Sequence, residues 1–307
     1  MWHYVIRRLL LAIPVLLGVS LGVFLMAEFV PGDPATVLAG DTASPDTIER
    51  IRRELSLDQP LPIRYARFLE RLVLHGSLGE STRTHREVLV EITDRMPYTL
   101  ELALGAVVLS TIVGIAVGVV TATHRGRRLD YAIMGAAVLA LSIPTFWIAL
   151  LMILLFSLQL HWLPVTGAGG WQHLIMPTVA LALHSAAVKA RITRSSMLEV
   201  LGQDYLRTAR AKGLRERVVI VRHALKNALI PITTLIGLQF GSLLGGAFII
   251  ENIFGWPGIG RLAVQAVFNR DFPVVQGTVL LGAAIYFIAN LVVDLLYAWL
   301  DPRIRYG

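Results

Sequence analysis

Long apolar runs, interrupted by short polar segments that often carry arginine, set the organisation of this chain. Between Tyr131 and Val188 there is no Asp, Glu, Lys or Arg. A helix needs about 20 apolar residues to cross about 30 Å of hydrocarbon, so such runs read as membrane spans and not as buried helices of a soluble core. They lack the two-residue alternation of a barrel wall, which favours helices. Spans are predicted over Leu9 to Val30, Tyr98 to Thr123, Tyr131 to Leu158, Leu174 to Val188, Ala228 to Ile250 and Pro273 to Leu296. The fold class that follows is an all-α polytopic membrane protein with about six transmembrane helices. Pro144 predicts a kink in the third span, which a membrane helix tolerates when neighbours satisfy the freed carbonyl.

Residues 1–30 form the N-terminal end and first span, 31–97 a polar segment, and 98–307 a transmembrane core with a loop at 189–228. The polar segment mixes Arg with Asp and Glu and has helix-like patches at Thr47 to Leu57 and Ile63 to Leu74, as expected of an ordered external cap. Arg7 and Arg8, the turn His124 to Arg128, and the tail with Arg303 and Arg305 are all basic. Lys189 to Lys226 holds ten Lys/Arg against three acidic residues. The turns around Trp162 to Trp171 and Trp256 to Gly260 carry no such excess. Basic segments stay cytoplasmic, which places both termini inside and 31–97 outside.

Composition adds exclusions. Apolar residues are 55% of the chain and charged residues 16%, and the net charge of +7 is accounted for by the inward-facing loops, so nucleic acid is not an expected partner. There is no cysteine, hence no thiolate metal site or cysteine nucleophile. The N-terminus has the charge pattern of a signal peptide but no small-residue cleavage site before Pro31, and is read as a retained span. No G-x-x-x-x-G-K-[ST] loop is present, so nucleotide hydrolysis would belong to other subunits.

Several side chains carry candidate chemistry. Gly18-Val19-Ser20-Leu21-Gly22 matches G-x-S-x-G, which would make a membrane hydrolase, but that chemistry needs a strand-to-helix turn and these residues lie inside an apolar span. Gly18 and Gly22, and Gly237, Gly241 and Gly245, are expected to be small faces for close helix packing, the second set lining a pathway or subunit contact. Glu101 and Glu251 are expected to snorkel to an interface, and Asp294 to lie deeper near a pathway. His161, His173 and His184 lack metal-site spacing. Paired midplane charges and inverted repeats, the signs of a secondary transporter, are not evident.

The basic loop contains Asp204-Tyr205-Leu206-Arg207-Thr208-Ala209-Arg210-Ala211-Lys212-Gly213-Leu214, which predicts a short surface helix. Asp204 is the expected N-cap and Gly213 the expected stop. Leu201, Tyr205, Thr208 and Ala209 are expected to share one face. An amphipathic connector resting on anionic lipid is the other reading of this helix.

The chain as a whole resembles the permeases of binding-protein-dependent ABC importers, peptide/nickel branch. The residues that carry the resemblance are Pro31-Gly32-Asp33-Pro34, Leu57-Asp58-Gln59-Pro60-Leu61, Arg207 to Leu214, Arg222 to Pro231, Trp256-Pro257-Gly258-Ile259-Gly260, Asn269-Arg270-Asp271 and Asp301 to Tyr306. The resemblance implies a type I importer permease in the bacterial cytoplasmic (inner) membrane, with 31–97 on the periplasmic side. It implies import of di- or oligopeptides, with nickel chelates or glutathione as the alternative. Implied partners are a second homologous permease, two ATPase subunits that bind ATP and magnesium, an extracytoplasmic solute-binding protein and membrane lipid, with no cofactor in this chain. The basic loop resembles the family's EAA motif, whose implied role is to couple to the ATPase through Asp204, Tyr205, Arg207, Thr208, Ala209, Ala211, Gly213 and Leu214. Arg207 stands where that motif has its glutamate, and Lys226 where it has a proline, with Pro231 further on.

Overall fold

The computed structural model describes residues 2–29, 35–36, 44–54 and 58–300. They form α1 Trp2–Phe29, α2 Pro45–Glu54, α3 Leu61–Leu74, α4 Val88–Thr123, α5 Arg128–Ser142, α6 Thr145–Met152 and α7 Trp171–Leu201. After these come α8 Asp204–Ala211, α9 Glu216–Val218, α10 Leu225–Ala228, α11 Ile230–Ile253, α12 Ile259–Phe268 and α13 Phe272–Leu300. Two π-helical stretches, Ile153–Gln159 and Val219–Ala224, join α6 to the next turn and α9 to α10. Among the described residues the only strand-like pairing is an isolated bridge between Glu80 and Glu87.

Among the described residues four helices are long and apolar enough to cross a membrane, or six if each of two bent pairs counts as one span. The predicted spans fall on these helices, with differences at their ends and breaks. The expected kink at Pro144 is a break: α5 and the helix from Thr145 to Gln159 diverge by 104°. Proline pushes the residue before it out of the helical region, and Ile143 is extended at φ −90°, ψ 127°. Pro144 then opens α6, where its missing N–H costs nothing. The helix that carries the fourth span does not end at Val188: α7 continues to Leu201 and carries Lys189, Arg191 and Arg194. The first part of the predicted loop is therefore helical.

The chain divides into two compact units, Met1–Met96 with Leu262–Phe287, and Pro97–Arg261 with Ile288–Gly307. In the first, Phe24 of α1, Phe68 of α3 and Leu280 of α13 form a small apolar cluster with Tyr65, Leu69 and Leu78 against it. Asp271, buried just before α13, accepts bonds from the Ser81 hydroxyl at 2.5 Å and the Thr82 amide at 3.2 Å, so Asn269-Arg270-Asp271 locks onto the turn before α4.

In the second unit Leu102, Ala106, Met176, Ala180, Leu181, Leu243, Ala247, Ile250 and Trp256 make the main core. Here α4 and α7 approach closely, because Gly114 and Gly118 present no side chains to α7. A Cβ on Gly114 would sit 2.6 Å from the Lys189 Cβ, and one on Gly118 would overlap Thr193. This is the small-residue packing expected between membrane helices. Of the positions named for it from sequence, a Cβ added at Gly18, Gly22 or Gly245 would meet no neighbour within 4 Å, while Gly237 is half-buried and Gly241 is buried.

Candidate functional site

The segment after α7 folds into a compact bracket. Gly202 and Gln203 interrupt the helix, with Gln203 extended at φ −74°, ψ 147°, and α8 starts anew at Asp204. Asp204 is thus the first helical residue and not the cap, and no side chain caps this end. Its carboxylate lies 3.4 Å from Arg207 Nη1, an exposed pair, and still favours the positive helix N-terminus.

The restart also resets which residues face inward. Leu206 has no exposed surface, and it packs with Ala209, Met197, Val219, Ala224, Ala228 and Ala122. Leu206 was not among the residues the sequence pattern singled out. Thr208, expected to share a face with Ala209, is exposed where Ala209 is buried, and its hydroxyl donates to the Asp204 carbonyl at 3.2 Å. Ala209, carried over as a residue that touches a partner, faces the chain's own core at 8% exposure. The outward row is Asp204, Arg207, Thr208 and Ala211, at helical spacing and all exposed.

Both ends of α8 are fastened. Asn227 donates through Nδ2 to the Tyr205 hydroxyl at 2.7 Å, tying the helix to α10. Arg210 meets Glu216 through two hydrogen bonds, Nε to Oε2 at 3.1 Å and Nη2 to Oε1 at 2.9 Å. That bond is the main cause raising the Arg210 pKa above its ordinary value. Gly213, at φ +75°, stops the helix as expected. Its amide donates to the Arg210 carbonyl at 2.9 Å and the Leu214 amide reaches the Ala209 carbonyl at 3.4 Å, the paired bonds of a Schellman ending. The result is a short, sharply ended helix held by its neighbours, with one polar face left free.

At the foot of α7, Arg194 makes two 2.8 Å hydrogen bonds to Asp130, which also accepts the Gly126 amide at 3.1 Å. This buried carboxylate joins α5 and the basic turn to α7, and hence to the helix that leads into α8.

A second cluster surrounds Glu251, which the sequence reading sent to an interface. It is fully buried, because it has partners that a linear pattern does not reveal. Its Oε1 accepts the Thr99 hydroxyl at 2.6 Å and its Oε2 the Arg261 amide at 3.1 Å, at the start of α12. Thr99 in turn accepts the Ile259 amide at 2.9 Å. Trp256 donates through Nε1 to the Tyr98 carbonyl at 2.9 Å, and Gly258 leaves the room the carboxylate occupies. The Trp256 to Gly260 motif is therefore a hairpin closed over Glu251 and clipped to residues 98 and 99 of α4. Glu101, by contrast, is exposed as expected.

Other candidates resolve simply. Ser20 is buried mid-helix, donates to the Leu17 carbonyl at 2.8 Å and pairs with the Tyr65 hydroxyl at 2.8 Å, which is no nucleophile elbow. Among the described residues no group of three or more His, Asp or Glu is placed to hold a metal ion. Asp294 lies on α13 with its side chain outside the described residues, as do Pro31 to Pro34 and the tail from Asp301.

Comparison with known proteins fits this arrangement. Residues 1–103 match the family described as binding-protein-dependent transport system membrane component, N-terminal. The chain is 46% identical over 306 residues to the glutathione transport system permease protein GsiC of Escherichia coli O6:H1, covering 100% of both. It is 45% identical to GsiC of Salmonella paratyphi A, again end to end. In fold it resembles the inward-facing methionine ABC transporter MetNI, at TM-score 0.53 and 18% identity over 68% of this chain and 97% of that one. An amino acid ABC transporter with histidines is similar at TM-score 0.53 and 20% identity, over 70% and 95%. Residues 114–306, which include the bracket around α8 and the hairpin over Glu251, match the binding-protein-dependent transport system inner membrane component, and the chain belongs to that family of ABC importer permeases.

Proposed function

We propose that this multi-pass permease carries short peptides, glutathione among them, inward across the bacterial cytoplasmic membrane as one half of an ATP-driven pathway. The observation that carries this reading is the end-to-end likeness, at 46% identity, to permeases named for glutathione transport. A binding-protein-dependent permease works with a solute-binding protein and an ATPase. In this reading two ATPase subunits, with ATP and magnesium, sit on the basic face, and a second homologous permease completes the pathway.

Both termini and the bracket around α8 are cytoplasmic, supported by the basic residues concentrated there. The outward row Asp204, Arg207, Thr208 and Ala211 docks into the ATPase, with Tyr205, Gly213 and Leu214 setting the angle of the helix. Leu206 and Ala209 root it to α7 and α10, so that a push on the free face reaches the spans. The pathway side of α11 includes Gly237, Gly241 and Gly245, with Asp294 toward the cytoplasmic end of α13.

The test is ATP-dependent uptake by proteoliposomes holding the complete transporter and its binding protein. Glutathione or dipeptide accumulation is the expected result. Accumulation of a nickel chelate with neither peptide taken up would overturn the substrate and leave the importer reading intact.

A further inference from the structure

We infer that α3 is not a water-borne cap but a helix set into the membrane surface, bound on one flank by phospholipid acyl chains and on the other by headgroup phosphates. The first observation is depth. With the Ser20 proton on the Leu17 carbonyl, the Tyr65 hydroxyl donates to Ser20 at 2.8 Å and lies 3.2 Å from that carbonyl of α1. The apolar span of α1 ends at Met26, so Leu17 lies about 13 Å inside it at 1.5 Å per residue. Phe24 meets Tyr65 and Phe68 at ring-centroid distances of 5.4 and 6.1 Å, again within the span. Arg64 reaches Glu28, just past its end, at 2.5 Å. The inward face of α3 thus engages α1 from Leu17 to Glu28, along about 16 Å of its axis. Contact at that depth brings α3 within the range at which interfacial helices lie, with their apolar side about 5 to 10 Å into the acyl boundary.

The second observation is how the rest of α3 is divided. Tyr65, Phe68 and Leu72 point toward α1. At helical spacing on one side of them lie Pro62, Ala66 and Val73, with the exposed Glu70 where that side meets the outer face, and on the other Arg64, Arg67 and Arg71. Val73 is 75% exposed and Leu74 69%, large apolar surfaces that a helix in water would not keep beside a charged row. The C-terminal half of α1 itself carries bare apolar surface, with Leu21, Met26 and Phe29 exposed. With Arg64 held by Glu28, the exposed Arg67 and Arg71 form a basic edge on one flank and Pro62, Ala66 and Val73 an apolar edge on the other, a division that a lipid surface matches, phosphate above and hydrocarbon below, with Glu70 at the rim. The occupant is the phospholipid of the leaflet crossed by the C-terminal half of α1.

The chain has no cysteine, so single substitutions can be spin-labelled without background. Ala66→Cys and Val73→Cys would be compared with Leu10→Cys on the bare face of α1 and Asp46→Cys on α2, in the assembled transporter in phospholipid nanodiscs. Power saturation with oxygen and with a water-soluble nickel chelate reads the surroundings of each label. Labels at positions 66 and 73 are expected to match position 10, with oxygen collisions several-fold above those at position 46 and chelate collisions correspondingly fewer. Labels that follow position 46 overturn the inference in favour of a water-facing helix. Labels shielded from both reagents overturn it in favour of a protein partner.

Discussion

Lys189 of α7 donates from Nζ to the Ser110 hydroxyl of α4 at 2.7 Å, on a side chain with no exposed surface. A hydroxyl satisfies one of the three ammonium donors, and among the described residues no carboxylate is bonded to Lys189. Removing Ser110 leaves the amine without its acceptor, whereas replacing the lysine by a similarly long apolar residue removes the need for one. Ser110→Ala is therefore expected to cost about 1–3 kcal/mol and Lys189→Met to be neutral or stabilising. Thermal unfolding of the purified variants checks this; a Lys189→Met protein that melts well below Ser110→Ala would contradict it.

The seam beside this pair has no spare volume. Gly118→Leu must drive α4 away from Thr193, and overpacking of this kind costs about 1–3 kcal/mol, occasionally more. Gly18→Leu, where nothing lies within 4 Å, is expected to be nearly silent in the same melting assay. Equal losses at both positions would show that glycine matters here for some reason other than space.

Ala209 and Ala211 separate folding from docking. Ala209→Glu forces a carboxylate into the cluster around Leu206, so the chain itself should be destabilised, by about 1–3 kcal/mol or more. Ala211→Glu sits on the free row and should leave the melting temperature unchanged while weakening association with the ATPase. Co-purification and unfolding measured on both variants decide it. If Ala211→Glu retains its ATPase and stimulated hydrolysis, the free row is not the docking face.

Gly213 tests the ending of α8. At φ +75° a β-branched residue is strained by about 1–2 kcal/mol or more, whereas asparagine adopts this conformation readily. Gly213→Val is expected to lose most of the ATPase activity stimulated by loaded binding protein, and Gly213→Asn to keep it. Uptake measured in parallel should follow the same order.

Orientation can be read with the same cysteine-free background. A cysteine at Asp46 should react with an impermeant reagent added outside, and one at Arg217 only from inside. Labelling of both from outside would reverse the reading of the basic loops.

The long helices were legible in sequence because a span is specified by composition over its own length. Their interruptions were legible only in kind. Pro144 announces that a helix cannot pass Ile143 unchanged, but the 104° turn depends on what each half packs against. The face of α8 was misjudged because its phase is set by the extended Gln203, and a pattern continued from Leu201 runs through that break. Glu251 shows the same limit more sharply. Its hydroxyl donor, Thr99, is 152 residues away in sequence, and without that partner a carboxylate at the end of a span is correctly expected to seek water. Gly114 and Gly118 stood in the sequence at the same spacing as other glycine pairs. Spacing permits close approach but does not say which helix arrives.

The hairpin over Glu251 has a consequence for how relatives of this chain can diverge. Thr99 both gives a hydrogen bond to the carboxylate and takes one from Ile259, and Gly258 vacates the space the carboxylate fills. A lineage that replaces Glu251 strands the Thr99 hydroxyl and the Arg261 amide; one that adds a side chain at position 258 must first lose the acid. Serine at 99 preserves both bonds, whereas valine, of nearly equal size, breaks them. Positions 99, 251 and 258 are thus expected to drift as a single hereditary unit, changing together or staying fixed while the lipid-facing residues around them vary freely.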